Sequence, residues 1–323
     1  MNNTTKARPK GSKSAASPLA QALDIIGDPW SLLIHQEAFF GVRRFDDFQR
    51  NLAIPKNTLA DRLKRLVRQD MLKRVAYQQN PPRFDYRLTA RGLDSYPYAL
   101  SLMRWGDDWL SRGREPPVRL RHKICGTILR PLATCGACRD ELTPDTVTIP
   151  LESARAPAQP RGARMRTSSR PELYIAGRTT SVGRTLAAIG DRWGFFIIWL
   201  AFAGVSRFEN FHSILGIART ILTARLERLV KQGVLRRRRY QARPPRSEYL
   251  LTEKGRDLYL VLLTFFGWAN RSFEADKDDT CPAHTSCGAP LEVLLVCSAC
   301  RAPLSPHEVL VLPTTPRRRL AAP

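Results

Sequence analysis

The chain is written twice, and this limits its fold more than any other feature. GDPW at 27–30 returns as GDRW at 190–193, GVRRF at 41–45 as GVSRF at 204–208, and RLKRLV at 62–67 as RLERLV at 225–230. PPR at 81–83 returns at 244–246 and RLTARG at 87–92 as LLTEKG at 250–255; all are displaced by 163 residues, as are Trp105 and Trp268. Four residues of metal-ligand type follow each copy. His122, Cys125, Cys135 and Cys138 return as His284, Cys287, Cys297 and Cys300, displaced by 162. So long a period is no solenoid unit; each copy is a complete domain with a tail.

With 323 residues and 43% hydrophobic content, two domains with real cores are expected. The charge is lopsided: 52 Lys+Arg against 29 Asp+Glu leave +23. That balance favours a polyanion, nucleic acid first and an anionic membrane surface second, over charge carried for solubility alone. The apolar run at 193–205 is too short to span a bilayer, and the basic N-terminus has no apolar signal core. The expected location is the cytoplasm, with no membrane partner and with the seven cysteines as thiols or metal ligands.

Within the first copy, Leu19, Leu23 and Ile26 recur at helical spacing. Asp28 follows as a helix N-cap, with Pro29 at the first helical position. A short helix FDDFQRNL and a turn lead to KNTLADRLKRLVRQD, where Leu59, Leu63, Leu66 and Val67 form an apolar stripe. The period then changes from helical to alternating in MLKRVAYQ and FDYRLT, either side of a QNPPR turn, which predicts a hairpin. A last helix runs from about Tyr96 to Trp109, and the second copy repeats this order. The fold class is therefore mainly α with small β-hairpins. It comprises two winged helix-turn-helix domains (17–112 and 173–275), each followed by a zinc-ribbon-like tail (118–149 and 281–312). Residues 1–16 and 313–323 are expected to be disordered basic tails, and 150–172 a flexible linker.

Such a domain holds its third helix so that one face is free to enter a major groove. The candidate DNA contacts are Lys56, Asn57, Thr58, Arg62 and Arg65 on that helix and Arg219, Thr220, Thr223, Arg225 and Arg228 on its counterpart. Arg43, Arg44 and Arg207 precede the second helix of each motif, and Arg83 and Arg246 stand at the hairpin turns. A basic helix face is also a common solvated surface, and Lys64 aligns with Glu227, which marks that position as plain surface.

Taken together, ALDIIGDPWSLLI, RRFDDFQRNLAIPKNTLADRLKRLVRQDMLKR, PPRFDYRLTARG and their second-copy counterparts resemble the HxlR-type family of bacterial winged-helix regulators. The resemblance covers roughly 17–110 and 180–272. It implies operator binding and transcriptional control, usually by a homodimer whose outer helices pack together. Many relatives carry a cysteine just before the first helix, a redox sensor in some; Ser17 and Thr180 stand there in this chain. The serine that often starts the recognition helix is replaced by Pro55 and Ala218. The duplication implies that one chain supplies both halves of the usual dimer, as a monomeric pseudo-dimer reading double-stranded DNA. A homodimer is the other arrangement.

Each tail reads H-x2-C-x9-C-x2-C, four ligands that suit a tetrahedral structural zinc with no open position, so two zinc ions are expected, one per tail. A C-x2-C redox pair and inert thiols are the alternatives. Cys281 aligns with Arg119 and is read as a spare thiol; His35, His212 and His307 lack ligand partners and are read as packing or surface residues. No Walker A loop, G-x-S-x-G or H-E-x-x-H string occurs, so no enzyme is expected. A zinc- or redox-responsive sensor and a zinc-ribbon interaction scaffold are the competing functions, and nothing in the sequence names a small effector.

Overall fold

The repeated G-D-x-W string is explained by what its aspartate holds. In the computed structural model, which describes residues 17–111, 113, 115–151, 180–243, 246–273 and 281–313, Asp28 caps α2 (Pro29–Phe39). Its Oδ1 accepts the Trp30 amide at 3.2 Å and Arg62 Nε at 3.1 Å. Asp191 repeats this for α8 (Arg192–Phe202), accepting the Trp193 amide at 3.1 Å and Arg225 Nε at 2.7 Å. One carboxylate thus satisfies an orphan helix donor and latches the recognition helix. Those helices are α4 (Lys56–Arg68) and α10 (Arg219–Lys231).

The order of elements matches the expected one. α1 (Pro18–Ile26), α2, α3 (Phe45–Leu52) and α4 precede the hairpin β1 (Leu72–Gln78)–β2 (Arg83–Leu88). A short α5 (Ala90–Asp94), capped by Thr89, was not anticipated; α6 (Tyr96–Leu110) follows. The second copy gives α7 (Ser181–Ile189), α8, α9 (Phe208–Leu215), α10, the hairpin β6 (Leu235–Gln241)–β7 (Arg246–Leu251), α11 (Glu253–Arg256) and α12 (Tyr259–Ser272). Ser17 and Thr180 cap α1 and α7 through the Ala20 and Gly183 amides. The proposed N-terminal tail, most of the linker and nearly all of the C-terminal tail lie outside the described residues.

Neither copy closes its own core. α1 packs on α12, and α7 packs on α6, so each copy lends its first helix to the other's last. α6 and α12 meet where Thr264 Oγ1 lies 3.1 Å from Ser101 Oγ, a residue and its own counterpart. Trp105 donates to the Lys254 carbonyl at 3.0 Å and Trp268 to the Arg91 carbonyl at 3.3 Å, the same bond made in both directions. Both indoles are fully buried. These reciprocal contacts define an approximate two-fold axis through the chain, the isologous geometry of a dimer. Among the described residues, no single helix is long and apolar enough to cross a membrane; α7 and α8 are, by composition, a bent apolar pair at 76°.

The tails, expected as separate ribbons, form one intertwined unit. β3 (Val118–His122) pairs with β10 (Val309–Pro313), β4 (Pro131–Cys135) with β9 (Val293–Cys297), and β5 (Val147–Thr148) with β8 (Ala283–His284). Every pair crosses from one tail to the other. α12 supports both β9 and β4, and α6 supports β4.

One buried histidine separates the copies. His35 Nε2 lies 2.6 Å from Ser95 Oγ and 3.1 Å from the Gly92 carbonyl, and burial lowers its pKa to about 4. The equivalent pair in the second copy is Ile198 and Leu258. A histidine whose folded pKa lies below its unfolded value stabilises the protein fully above about pH 6.5, and that stability is lost as pH falls toward 4. Replacing the pair by its own counterpart, His35→Ile with Ser95→Leu, is predicted to remove roughly 2 kcal/mol of acid sensitivity between pH 6.5 and 4.5. Urea denaturation of both proteins across that window measures it; parallel pH profiles would disprove it.

Candidate nucleic-acid interface and metal centres

The apolar stripe of α4 (Leu59, Leu63, Leu66) is buried, as is that of α10 (Leu222, Leu226, Leu229). The opposite face is open. Lys56, Asn57, Asp61, Lys64 and Arg68 are exposed on α4, with Thr58 half-buried; Arg219, Thr220, Ile221, Thr223, Ala224, Glu227 and Lys231 are exposed on α10. Pro55 and Ala218 make no side-chain cap, so the first amides of both helices keep outward-facing donors. Arg43 and Arg44 are exposed ahead of α3, with the Arg44 guanidinium 4.9 Å over the Tyr77 ring; Arg207 repeats this at 5.0 Å over Tyr240. Arg83 and Arg246 are exposed where β2 and β7 begin.

Four of the candidate arginines have another task. Arg62 and Arg225 are held by Asp28 and Asp191, as described, and Arg65 and Arg228 donate to the carbonyls of Asp24 and Ala187. Arg62 and Arg225 tie the recognition helix to the N-terminus of the second helix of the same copy, and Arg65 and Arg228 tie it to the first, so all four face their own domain and not the open side. Their recurrence in both copies follows from that internal role. Arg219 is bidentate on Glu209 at 2.9 and 2.7 Å. Exposed arginines on β6, at Arg236, Arg237 and Arg239, were overlooked in sequence, although the run LRRRRYQ was a plain signal.

All eight expected metal ligands converge, but their grouping differs from the expectation of one site per tail. His122 and Cys125 of the first tail join Cys297 and Cys300 of the second; Cys135 and Cys138 of the first join His284 and Cys287 of the second. The physical reason is the strand between the ligand pairs. β4 and β9 are five residues each, about 17 Å when extended, and carry the two knuckles of one tail to opposite ends. The antiparallel register sets Cys297 opposite Pro131 and Cys135 opposite Val293, bringing each His-x2-Cys knuckle to the Cys-x2-Cys knuckle of the other tail.

Each knuckle is a closed turn. Gly126 and Gly288 donate to the carbonyls of His122 and His284 at 2.8 Å with φ of +72° and +68°, where only glycine is unstrained. Arg139 and Arg301 donate to Cys135 at 2.9 Å and Cys297 at 2.8 Å. In one cluster His122 Nδ1 is 3.3 Å from Cys125 Sγ and 3.4 Å from Cys300 Sγ, and Cys125 Sγ is 3.8 Å from Cys297 Sγ. In the other, His284 Nδ1 is 3.3 Å from both Cys287 Sγ and Cys138 Sγ, and Cys135 Sγ is 3.8 Å from Cys287 Sγ. A tetrahedron with zinc bond lengths has S···S edges of about 3.8 Å and N···S edges of about 3.5 Å, so the donor sets fit. Hydrogen bonds from Thr127, 3.0 Å away through its hydroxyl, lower the Cys125 pKa to about 6. Cys281 lies outside both clusters, and burial pushes its thiol pKa up.

The HxlR-like helix-turn-helix family model matches residues 25–114 and again 188–277, more than half of the chain, and the protein belongs to that family. It is similar to the uncharacterized HTH-type transcriptional regulator Rv3095 of Mycobacterium tuberculosis, 45% identical over 130 residues, covering 40% of this chain and 82% of the relative. Among solved structures, the putative transcription factor PA1607 is 35% identical over 39% of this chain and 89% of its own, with a TM-score of 0.37. The reduced form of the redox regulator HypR is 35% identical over 28% of this chain and 94% of its own, with a TM-score of 0.27.

The shared ligand sets predict an unusual loss pattern. Cys125→Ser with Cys300→Ser strikes one cluster, so a chain that loads one ion per cluster should fall from two ions to one. Cys125→Ser with Cys138→Ser strikes both clusters and should leave neither intact. Cobalt(II) titration followed by visible absorption reads the stoichiometry; the reverse pattern would restore one site per tail.

Proposed function

We propose that the chain is a sequence-specific DNA-binding transcriptional regulator of the cytoplasm, not an enzyme, that meets one operator with both recognition helices as an intrachain pseudo-dimer. The observation that carries this reading is the pair of open helix faces, α4 and α10, mounted on one reciprocal two-fold axis in a chain of net charge +23. Two-fold-related heads suit half-sites arranged as an inverted repeat. Because the two faces differ, Lys56-Asn57-Thr58 against Arg219-Thr220-Ile221, the preferred operator is an imperfect repeat. In this reading Arg43, Arg44, Arg83, Arg207 and Arg246 meet phosphate, and Lys56, Asn57 and Thr58 meet base edges.

Two zinc ions in the Cys3His clusters complete the reading. Four protein ligands leave no position for water, so the ions are structural: their binding energy ties together two tails whose strands pair only across the copies. The sensor alternative predicts something different. If the zinc is structural, chelation should abolish the tail structure while the helices, joined through α1, α6, α7 and α12, persist. A reversible change in operator affinity at physiological zinc would favour a sensor, and binding to protein alone would favour a scaffold.

In vitro selection from random duplexes with the zinc-loaded chain, followed by mobility shift, tests the main reading. The expected product is an asymmetric inverted repeat bound by one chain, with affinity falling steeply as salt rises. A perfect palindrome bound by two chains would overturn the pseudo-dimer, and no enrichment over random duplex would overturn DNA recognition.

A further inference from the structure

The two heads have diverged where they would face a duplex, in opposite senses. On α4 the open face carries free polar groups: Lys56 and Asn57 are exposed, and neither makes a hydrogen bond or ion pair among the described residues. A free asparagine amide offers the donor and acceptor pair that matches the adenine edge. At the same positions α10 carries Arg219 and Thr220, followed by Ile221. Arg219 is already bidentate on Glu209, and Ile221 offers only methyl groups. The second recognition helix therefore has little free group for bidentate readout.

The wings reverse the balance. β1 reads LKRVAYQ and β6 reads LRRRRYQ, so Val75 and Ala76 correspond to Arg238 and Arg239. In the first wing the Arg74 guanidinium is stacked 4.0 Å over the Phe84 ring. Phe84 corresponds to Ser247, and Arg237 stacks on no ring among the described residues. Arg238 is held by Glu248 at 2.6 Å, but Arg236, Arg237 and Arg239 are exposed and form no ion pair among the described residues. Unpaired cations on a hairpin, without fixed geometry, attract phosphate but read no base.

We propose that the two copies divide the work of recognition: α4 of the first copy selects the sequence, and the arginine-rich wing of the second copy grips the backbone. This rests on the DNA-binding reading above. The operator then has one strongly specified half and one weakly specified half. The weak half is bound through charge.

The test uses the full zinc-loaded chain and the duplex it selects in vitro, with a scrambled duplex as competitor. Arg236→Thr, Arg237→Thr and Arg239→Thr together should weaken both duplexes alike. The slope of log affinity against log salt should fall by about 1 for each lost phosphate contact, up to about 3. Asn57→Ala should leave that slope unchanged and cut the preference for the selected duplex about tenfold or more, while Thr220→Ala leaves the preference within about threefold. All positions are exposed, and an unchanged melting temperature confirms folding. An unchanged salt slope in the wing variant, or equal losses of preference in Asn57→Ala and Thr220→Ala, would overturn the division. If the unaltered chain selected no duplex, the DNA-binding reading itself would fail, a distinct outcome.

Discussion

The exchange of first and last helices between the copies is the constraint on which the rest depends. Trp105 and Trp268 are both fully buried, and each donates its indole N–H to a carbonyl of the other copy. Truncating a buried tryptophan costs about 3–5 kcal/mol, and here that cost falls on the contact between copies. Tyr98 and Phe265 add a ring contact of 4.8 Å across the same seam. Because the last helices are fixed against each other there, the tails that leave them are fixed as well. α6 ends at Leu110 and β3 begins at Val118, too short an interval for the first tail to stray far. Both the shared clusters and the placing of the two heads are downstream of this seam.

A homodimer repeats every residue on both sides of its axis; a fused pair need not. At the axis itself Ser101 faces Thr264, two different residues where a homodimer would set one residue against itself. Away from it, the buried His35–Ser95 pair stands where the second copy has Ile198 and Leu258. What stayed constant is instructive. The Asp28–Arg62 and Asp191–Arg225 latches, both sets of knuckles and both indole bonds are duplicated in full. The features that build the frame are kept in pairs, while the solvent-facing positions of the recognition helices and wings have diverged.

Much of this was legible in the sequence because its signals are local. Asp28 as N-cap, the Leu59–Leu63–Leu66 stripe, the change of period at β1 and the eight ligands all depend on neighbours within a turn or a strand. Two things were not legible, for the same reason. The direction of Arg62 and Arg65 depends on Asp28 and Asp24, more than thirty residues away, and a basic helix looks alike whether its arginines face inward or outward. The grouping of ligands depends on the pairing of β4 with β9, and identical half-motifs fit either partner. A signal was present: PLATC and VLLVC between the ligand pairs are strand-like, and a strand separates its ends. The short α5 and α11 were hidden because a single capped turn, Thr89 to Gly92 and Thr252 to Gly255, is too brief to show a period.

The choice between the two ligand groupings can be followed further through chain entropy. Cys125 and Cys297 are separated by 172 residues, whereas the two knuckles of one tail are separated by nine. In an unfolded chain the nearer pair would win, since closing a longer loop costs more, though each doubling of length adds only about 0.6 kcal/mol. Once α6 and α12 are packed, the long loop is already closed, and the knuckles of the two tails face each other at high effective concentration. The strands then decide, because β4 cannot remain extended and also fold its ends onto one ion. The grouping across tails therefore follows from the packing of α6 on α12 and the pairing of β4 with β9, and any ion held there would bridge the two copies.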